Sequence, residues 1–276
     1  MKKVDVFLAN TLIDSFNECL LKSDFLLNDK FNNNIIIVPD KFSLNAERSV
    51  FDALKIDSTF NIDVVSFNRL CYKVLNFNSL DVISKRQGLI KIGKILLQNR
   101  DKIKTFNNLI GTYGLTENIY ETIMQFKSSN ITPSELITND NNSHLKNKLE
   151  DIKLIYELYE KEIESGTFDE VKRLQFLANS IGTNNYVCNS NVIVAMFDSF
   201  TNLQLMVLES IIKNAKSVTF ALSANTMQNN SSCYVNETLQ QVLQTINSAK
   251  CSSNITNSKI NNNDIMSHLK IGRAHV

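Results

Sequence analysis

Arg69 lies between two aromatic residues, Phe67 and Tyr72, in a segment whose pattern predicts the first turns of a helix. The preceding residues, 62–65, form a short β-branched run, which is typical of a strand buried on both faces. Guanidinium groups bind phosphate and aromatic rings stack on bases, so this combination is typical of single-stranded nucleic-acid binding. The alternative, which composition alone favours, is that both rings belong to the core and that Arg69 pairs with a surface acid.

A second patch is built in the same way. Residues 35–38 predict a buried strand, Pro39 ends it, and Ser43 is a good N-cap for the helix that follows. The predicted apolar face of that helix comprises Leu44, Val50, Phe51 and Leu54. Because open α/β sheets bind ligands at the carboxyl ends of their strands, we expect any specific ligand to bind where these two patches meet.

The surrounding pattern predicts an α/β fold. Strands are expected at 4–9, 35–38, 62–65, 191–197 and 217–222, and helices of the same region at 10–21, 202–214 and 235–248. Between about 84 and 180 the pattern is helical without a convincing strand, with helices at 84–99, 101–111, 115–129, 143–165 and 170–181. We therefore predict a parallel sheet flanked by helices, with residues 1–83 as the first part of the core, 84–183 as a large all-helical insertion and 184–270 as the return of the core.

Composition excludes several classes. The 276 residues are 43% hydrophobic and 21% charged with a net charge of +1, which excludes disorder and a globally basic nucleic-acid binder. The five cysteines have no CxxC spacing and are interpreted as reduced thiols of a cytoplasmic protein, not as metal ligands. No apolar run approaches the roughly 20 residues that span a membrane, so no membrane association is expected.

Catalytic motifs are missing from the sequence. It has no HExxH, GxSxG or GxGxxG, and no GxxxxGK[ST] follows the first predicted strand. The carboxylate pairs Glu160 with Glu162 and Asp169 with Glu170 are predicted to be solvated on helix surfaces, and Asp198 is the best single acid. One acid does not make a mechanism, so we predict no catalytic, nucleotide-binding or metal-binding residues.

Five segments, taken in order, carry a family resemblance. They are VPDKFS at 38–43, VSFNRLCYKVL at 65–75, FKSSNITPSEL at 126–136, KLEDIKLIY at 148–156 and FDSFT at 197–201. In this order they resemble the N-terminal part of the AddB/RexB family, the B subunit of the bacterial AddAB (RexAB) helicase-nuclease. The resemblance covers roughly residues 35 to 220, and the ordered set is far more specific than any one segment.

The resemblance implies a P-loop helicase-like fold of the superfamily 1 type in an accessory role, beside an AddA/RexA-type helicase subunit that is the motor. The first two segments correspond to helicase motifs that touch single-stranded DNA. Carried onto matching positions, the implied DNA-binding residues are Lys41, Ser43, Phe67, Arg69 and Tyr72. In the family these elements help to read the Chi sequence during double-strand break repair by homologous recombination. The alternative is a structural α/β scaffold that binds a partner protein only.

Departures from the family pattern imply that the chain does not hydrolyse ATP. Many members have a glycine-rich phosphate loop where residues 9–12 stand here, and Ala195 and Met196 take the place of the acidic pair of an active helicase. The family's nuclease motif, its Mg²⁺ and the cysteines of its 4Fe–4S cluster belong to a C-terminal region outside this chain, so none of the five cysteines is expected to be a cluster ligand. Residues 271–276 back-translate to a common sequencing adapter, and we expect the natural protein to continue beyond about Lys270.

Overall fold

The computed structural model describes residues 2–23, 26, 33–56, 58, 61–75, 81–137, 143–164, 167–223 and 233–257. The prediction for residues 271–276 lies outside this part. In chain order the elements are β1 (Lys3–Ala9), α1 (Leu12–Lys22), β2 (Asn34–Ile37), α2 (Ser43–Leu54), β3 (Ile62–Val65), α3 (Phe67–Leu75), β4 (Asp81–Val82), α4 (Lys85–Gln98), α5 (Tyr113–Ser128), α6 (Ser143–Glu164), β5 (Thr167–Phe168), α7 (Glu170–Ser180), α8 (Asn185–Cys188), β6 (Asn191–Ala195), α9 (Asn202–Asn214), β7 (Ser217–Ser223), α10 (Cys233–Ser248) and β8 (Ser252–Asn257).

Six of these strands form one parallel sheet in the order β3-β2-β6-β7-β1-β8. The central strands β2 and β6 are buried along their whole length, as their continuous apolar runs predict for a sheet covered on both faces. The predicted fold class, a parallel α/β sheet flanked by helices, is confirmed. In the register of the sheet, Ile37 of β2 lies beside Val65 of β3 and Val194 of β6.

Strand β8 is absent from the prediction. Its sequence, SSNITN, is polar and mostly exposed, and among the described strands it pairs only with β1, at one edge of the sheet. Because strand prediction depends on apolar runs, a polar edge strand leaves little signal in the sequence.

The chain divides into two compact units. One comprises residues up to Leu75, residues 177–200 and residues from 204 onward, and the other comprises 76–176 with 201–203. The predicted boundaries at 83/84 and 183/184 stay predictions. In the first unit, the buried cluster that includes Phe16, Leu20 and Ile36 combines side chains of helices α1 and α2 with those of the sheet.

The second unit has its own core, formed mainly by α4, α5 and α6. Its buried residues include Ile92, Ile123 and Tyr159, and the rings of Tyr120 and Tyr159 meet edge to face at 6.3 Å. The short strands β4 and β5 pair in parallel beside these helices, so the prediction of an all-helical insertion without a strand is wrong at residues 167–168. Two residues are too few to show a strand period in the sequence.

Helix prediction also fails at 101–111 in this unit. The structure has 3₁₀ turns at Arg100–Lys102 and Asn107–Leu109 instead of an α-helix. The carboxylate of Asp151 explains the intervening loop, because it accepts the backbone N–H groups of Lys104 at 3.0 Å and Thr105 at 2.6 Å. These bonds satisfy backbone donors that an α-helix would otherwise use.

Two of the five family-like segments contact each other in this unit. The Tyr156 hydroxyl donates to the backbone carbonyl of Ile131 at 3.0 Å.

Lys127 is 4% exposed, and its ammonium lies 2.6 Å from Oδ2 of Asp169 and also contacts Glu160. Asp169 is 1% exposed, so its prediction as a solvated surface acid is wrong; a charge partner 42 residues away makes its burial tolerable.

Candidate nucleic-acid interface

The two sequence patches meet at the carboxyl edge of the sheet. Strands β2 and β3 are parallel neighbours, and the Val38 N–H donates to the Val65 carbonyl at 3.0 Å just where both strands end. The turns that follow are joined by a side-chain bond, in which Nδ2 of Asn68 donates to Oδ2 of Asp40 at 3.2 Å. The expected juxtaposition of the patches is therefore present in the structure.

Helix α3 begins at this edge. The Arg69 backbone N–H donates to Oγ of Ser66 at 3.3 Å, so Ser66 caps the helix. Phe67 is 6% exposed, and its ring centroid lies 5.5 Å from that of Phe197, which follows β6. Phe197 in turn packs against Phe200 at 4.8 Å, so these aromatic rings fix the start of α3 on the sheet.

Three of the five implied DNA-binding side chains are open to solvent. Lys41 and Arg69 are exposed, and Tyr72 is 51% exposed. Within the described ranges, no carboxylate forms an ion pair with Arg69 or Lys41, so the alternative that Arg69 pairs with a surface acid is not supported. The other part of that alternative, that the aromatic rings belong to the core, is correct for Phe67, which is buried. The DNA-binding roles of all five residues stay predictions.

Ser43 is placed differently from its prediction as an N-cap. A 3₁₀ turn, Asp40–Phe42, follows Pro39, and α2 continues from it with Ser43 as its first helical residue. Phe42 occupies the cap position without a side-chain bond, and Oγ of Ser43 is buried with no hydrogen-bond partner among the described residues. The shift in the start of the helix also leaves Leu44 59% exposed, so its prediction as part of the apolar face is wrong.

The last turn of α3 carries an interaction that sequence reasoning missed. Oδ2 of Asp63, on edge strand β3, lies 2.6 Å from Nζ of Lys73 and accepts the Tyr186 hydroxyl at 2.7 Å. Burial, together with the bond to this carboxylate, raises the pKa of Tyr186 above its usual range. The only sequence signal was a single acid inside a β-branched run.

The turn after β1 cannot wrap a phosphate chain. The strand ends at Ala9 and α1 begins at Leu12, so only two residues connect them. Thr11 caps the helix by accepting the Asp14 N–H at 3.0 Å. A phosphate loop needs several consecutive free backbone N–H groups and a lysine, and this connection has room for neither.

The end of β6 carries no acid pair. Ala195 and Met196 are buried there, and Met196 has a left-handed backbone with φ of 63°. Asp198 is exposed nearby, and its backbone carbonyl accepts the Thr238 hydroxyl at 2.6 Å. In the described part of the chain, no group of three or more His, Cys, Asp or Glu side chains is arranged to hold a metal ion, and no helix is long and apolar enough to cross a membrane.

These features define a parallel α/β module with exposed cations and a half-exposed aromatic ring at its carboxyl edge and without a phosphate loop at its first turn. Residues 22–271 match the family model described as ADDB, N-terminal. The chain therefore belongs to the ADDB N-terminal family.

Curated relatives agree with this assignment, and each is named as the B subunit of an ATP-dependent helicase/deoxyribonuclease. The chain is 30% identical over 194 residues to the protein of Clostridium novyi (strain NT), which covers 68% of this chain and 17% of that protein. It is 28% identical over 214 residues to that of Caldanaerobacter subterraneus subsp. tengcongensis, covering 74% of this chain and 18% of that protein. For the protein of Staphylococcus haemolyticus the identity is 23% over 198 residues, covering 69% and 17%. The chain spans less than a fifth of the length of these relatives.

Proposed function

We propose that this chain is the N-terminal, helicase-like part of a helicase-nuclease B subunit, and that it guides single-stranded DNA without hydrolysing ATP. The observation that carries the DNA part is the position of Arg69. It is exposed at the carboxyl edge of the sheet, on a helix that also exposes Tyr72, and no carboxylate of the described residues forms an ion pair with it.

In the proposed arrangement, Lys41 and Arg69 contact backbone phosphates and Tyr72 stacks on a base. Cations and an aromatic ring on adjacent turns suit a single strand, whose bases are free to stack and whose phosphates follow a groove. The buried residues Ser43 and Phe67 would act from beneath this surface, by placing the turns that carry the exposed side chains. The same surface is our candidate for contributing to Chi recognition.

The names of the relatives support the wider role that we propose. They are named as one subunit of an ATP-dependent helicase/deoxyribonuclease, so a partner subunit is part of the proposal. We place the ATP-driven motor in an AddA/RexA-type partner, and the nuclease site with its Mg²⁺ and the 4Fe–4S cluster in a C-terminal region outside this chain. The assembly would act in the cytoplasm, in double-strand break repair by homologous recombination.

Fluorescence anisotropy with a labelled oligothymidine tests the DNA part. We expect binding that weakens between about 50 and 200 mM salt, because phosphate neutralisation releases counterions. Arg69→Ala should weaken binding about tenfold and lower the salt slope by about 0.7, the effect of one phosphate contact on a single strand.

Arg86→Ala is the matched control, since Arg86 is an exposed arginine on α4 of the other unit. It removes the same charge from outside the proposed contact and should change the affinity by less than about twofold, because a charge that does not touch the strand acts only through a salt-screened field. Equal effects of the two variants, or no binding by the folded chain at low salt, would reject the proposed DNA contact and favour a scaffold that binds protein alone.

A second measurement tests the claim about ATP. A fluorescent ATP analogue titrated into the chain should show no saturable binding, because the two-residue connection after β1 offers no phosphate cradle. Saturable binding in the micromolar range would contradict this part of the proposal and leave the DNA contact to be judged by its own assay.

A further inference from the structure

Helix α3 is too short to hold Arg69 in place by itself. It has nine residues, and isolated helices shorter than about 12 residues are marginal in water. Its stability and its rotation about its own axis therefore depend on contacts with the rest of the first unit. Phe67 and Ser66 fix its first turn, and other residues of the first unit hold its last turn.

Asn184 holds the end of the helix. Its Nδ2 donates to the Val74 carbonyl at 3.1 Å, which satisfies one of the carbonyls that a helix end leaves without a partner. Its Oδ1 accepts the Tyr186 N–H at 3.0 Å and so caps α8. One side-chain amide thus joins the end of α3 to the start of α8.

Asp63 also holds the last turn of the helix, from the edge strand. Nζ of Lys73 and the hydroxyl of Tyr186 both bind Oδ2 of Asp63, at 2.6 and 2.7 Å, and Nζ also lies 5.4 Å from the centroid of the Tyr186 ring. Lys73 is four residues after Arg69, so the two cations share one face of α3. Asp63 pairs with Lys73, while no carboxylate in the described residues pairs with Arg69.

We infer that Asp63 and Tyr186 are positioning residues, which fix the rotation of α3 so that the Arg69 guanidinium points to the DNA path. This inference rests on the proposed function. The Lys73–Asp63 pair is 41% exposed on both sides, and exposed ion pairs contribute little stability. Its main effect is therefore on orientation: the carboxylate binds a cation from α3 and a hydroxyl from α8 at one oxygen.

A double-mutant cycle between Tyr186→Phe and Arg69→Ala tests the inference by oligothymidine anisotropy. Tyr186→Phe keeps the ring and every charge and removes only the hydroxyl bond to Asp63. We expect it to weaken binding about threefold in the natural background, the effect of one lost hydrogen bond. In the Arg69→Ala background it should have no further effect, because the group that it positions is already missing.

Tyr113→Phe is the matched control. The Tyr113 hydroxyl also donates to a carboxylate, that of Glu117 at 3.4 Å, but it lies in the other unit and is exposed. Its loss should leave the affinity unchanged. Amide hydrogen exchange supplies a second readout: Tyr186→Phe should speed exchange in α3 and leave β6 unchanged.

Each outcome has one meaning. Multiplying effects, with the double variant about thirtyfold weaker, would overturn the inference, because Tyr186 would then act independently of Arg69. Unchanged binding by Tyr186→Phe, or equally faster exchange in α3 and β6, would overturn it too. If Arg69→Ala alone leaves the affinity unchanged, the proposed DNA contact is rejected and this inference is rejected with it.

Discussion

Lys127 offers a direct test of how the second unit is held together. Its ammonium is 4% exposed and contacts Asp169, which is 1% exposed, and Glu160, which is 28% exposed. Lys127→Met removes the charge and keeps an unbranched side chain of similar length. The change therefore leaves one fully buried carboxylate and one partly exposed carboxylate without their cation.

The structure sets the expected magnitude. Breaking a buried ion pair by removing one partner costs about 3 to 5 kcal/mol, because the remaining charge is buried without compensation. Glu160 is partly exposed and can be rehydrated, and Oδ1 of Asp169 keeps the N–H of Lys172 at 2.8 Å. We therefore expect a loss of about 3 kcal/mol, the lower end of that range.

Lys85→Met is the matched control. Lys85 also pairs with two carboxylates, those of Glu117 at 3.1 Å and Glu121 at 2.9 Å, but its side chain is 53% exposed. Solvent screens exposed pairs, so its replacement should change the stability far less than that of Lys127. The two variants differ in burial and not in the number of carboxylates that lose a partner.

Hydrogen exchange across a urea series measures the result, because peptides from α5 and α6 report the free energy of opening this unit. Equal losses of stability for Lys127→Met and Lys85→Met would refute the reasoning from burial.

A double variant gives a second test of the same reasoning. Adding Asp169→Asn to Lys127→Met should recover part of the loss, because no uncompensated charge then remains fully buried at that position. A further loss in the double variant would also refute the argument.

The remaining predictions concern a helix, the thiols and a turn. Gly93→Ala should stabilise α4 by about 0.5 to 1 kcal/mol through helix propensity. Gly88→Ala should destabilise the same helix by about 1 to 3 kcal/mol, because a Cβ at this position would lie too close to the ring of Tyr120. Urea unfolding that shows the same sign for both variants would contradict this. Burial raises the pKa of the Cys19 thiol to about 12, so mass spectrometry after iodoacetamide treatment should show half-buried Cys188 modified before Cys19, and equal rates for these two thiols would contradict the expected inertness of Cys19. Backbone and side-chain bonds from Thr132 lower the pKa of Glu135. The turn that begins at Thr132 therefore gains stability above the unfolded pKa of this carboxyl and loses it as pH falls through the lower folded pKa. The amide chemical shift of Thr132 should titrate below 4.5, and a titration above 4.5 would contradict this.

Much of the sheet could be predicted because its signals are local. The central strands β2 and β6 are continuous apolar runs, which only a strand covered on both faces accommodates in so few residues. The absence of a phosphate loop after β1 could also be predicted, because it depends only on the residues that directly follow this strand. The ordered family-like segments likewise required no knowledge of three-dimensional contacts.

The candidate site was predicted only in part. Arg69 and Tyr72 lie exposed on α3 and their DNA-binding roles stay predictions, whereas Phe67 is a core residue. Ser43 was misplaced because a 3₁₀ turn of three residues moved the start of α2, and such turns leave no periodic signal. Asp63 was overlooked because its importance comes from Tyr186, which is 123 residues away in the chain.

The sequence by itself determined the parallel α/β core, the absence of a phosphate loop and the family to which the chain belongs. Each follows from residue types within a short window or from the order of such windows. The tertiary structure decided which charges are buried and which remain available. Lys127 with Asp169, and Lys73 with Asp63, are paired by contacts that span elements, while Arg69 is left to solvent. Burial and ion pairing depend on how separate elements pack in space, so only the folded chain shows which cation can meet a ligand.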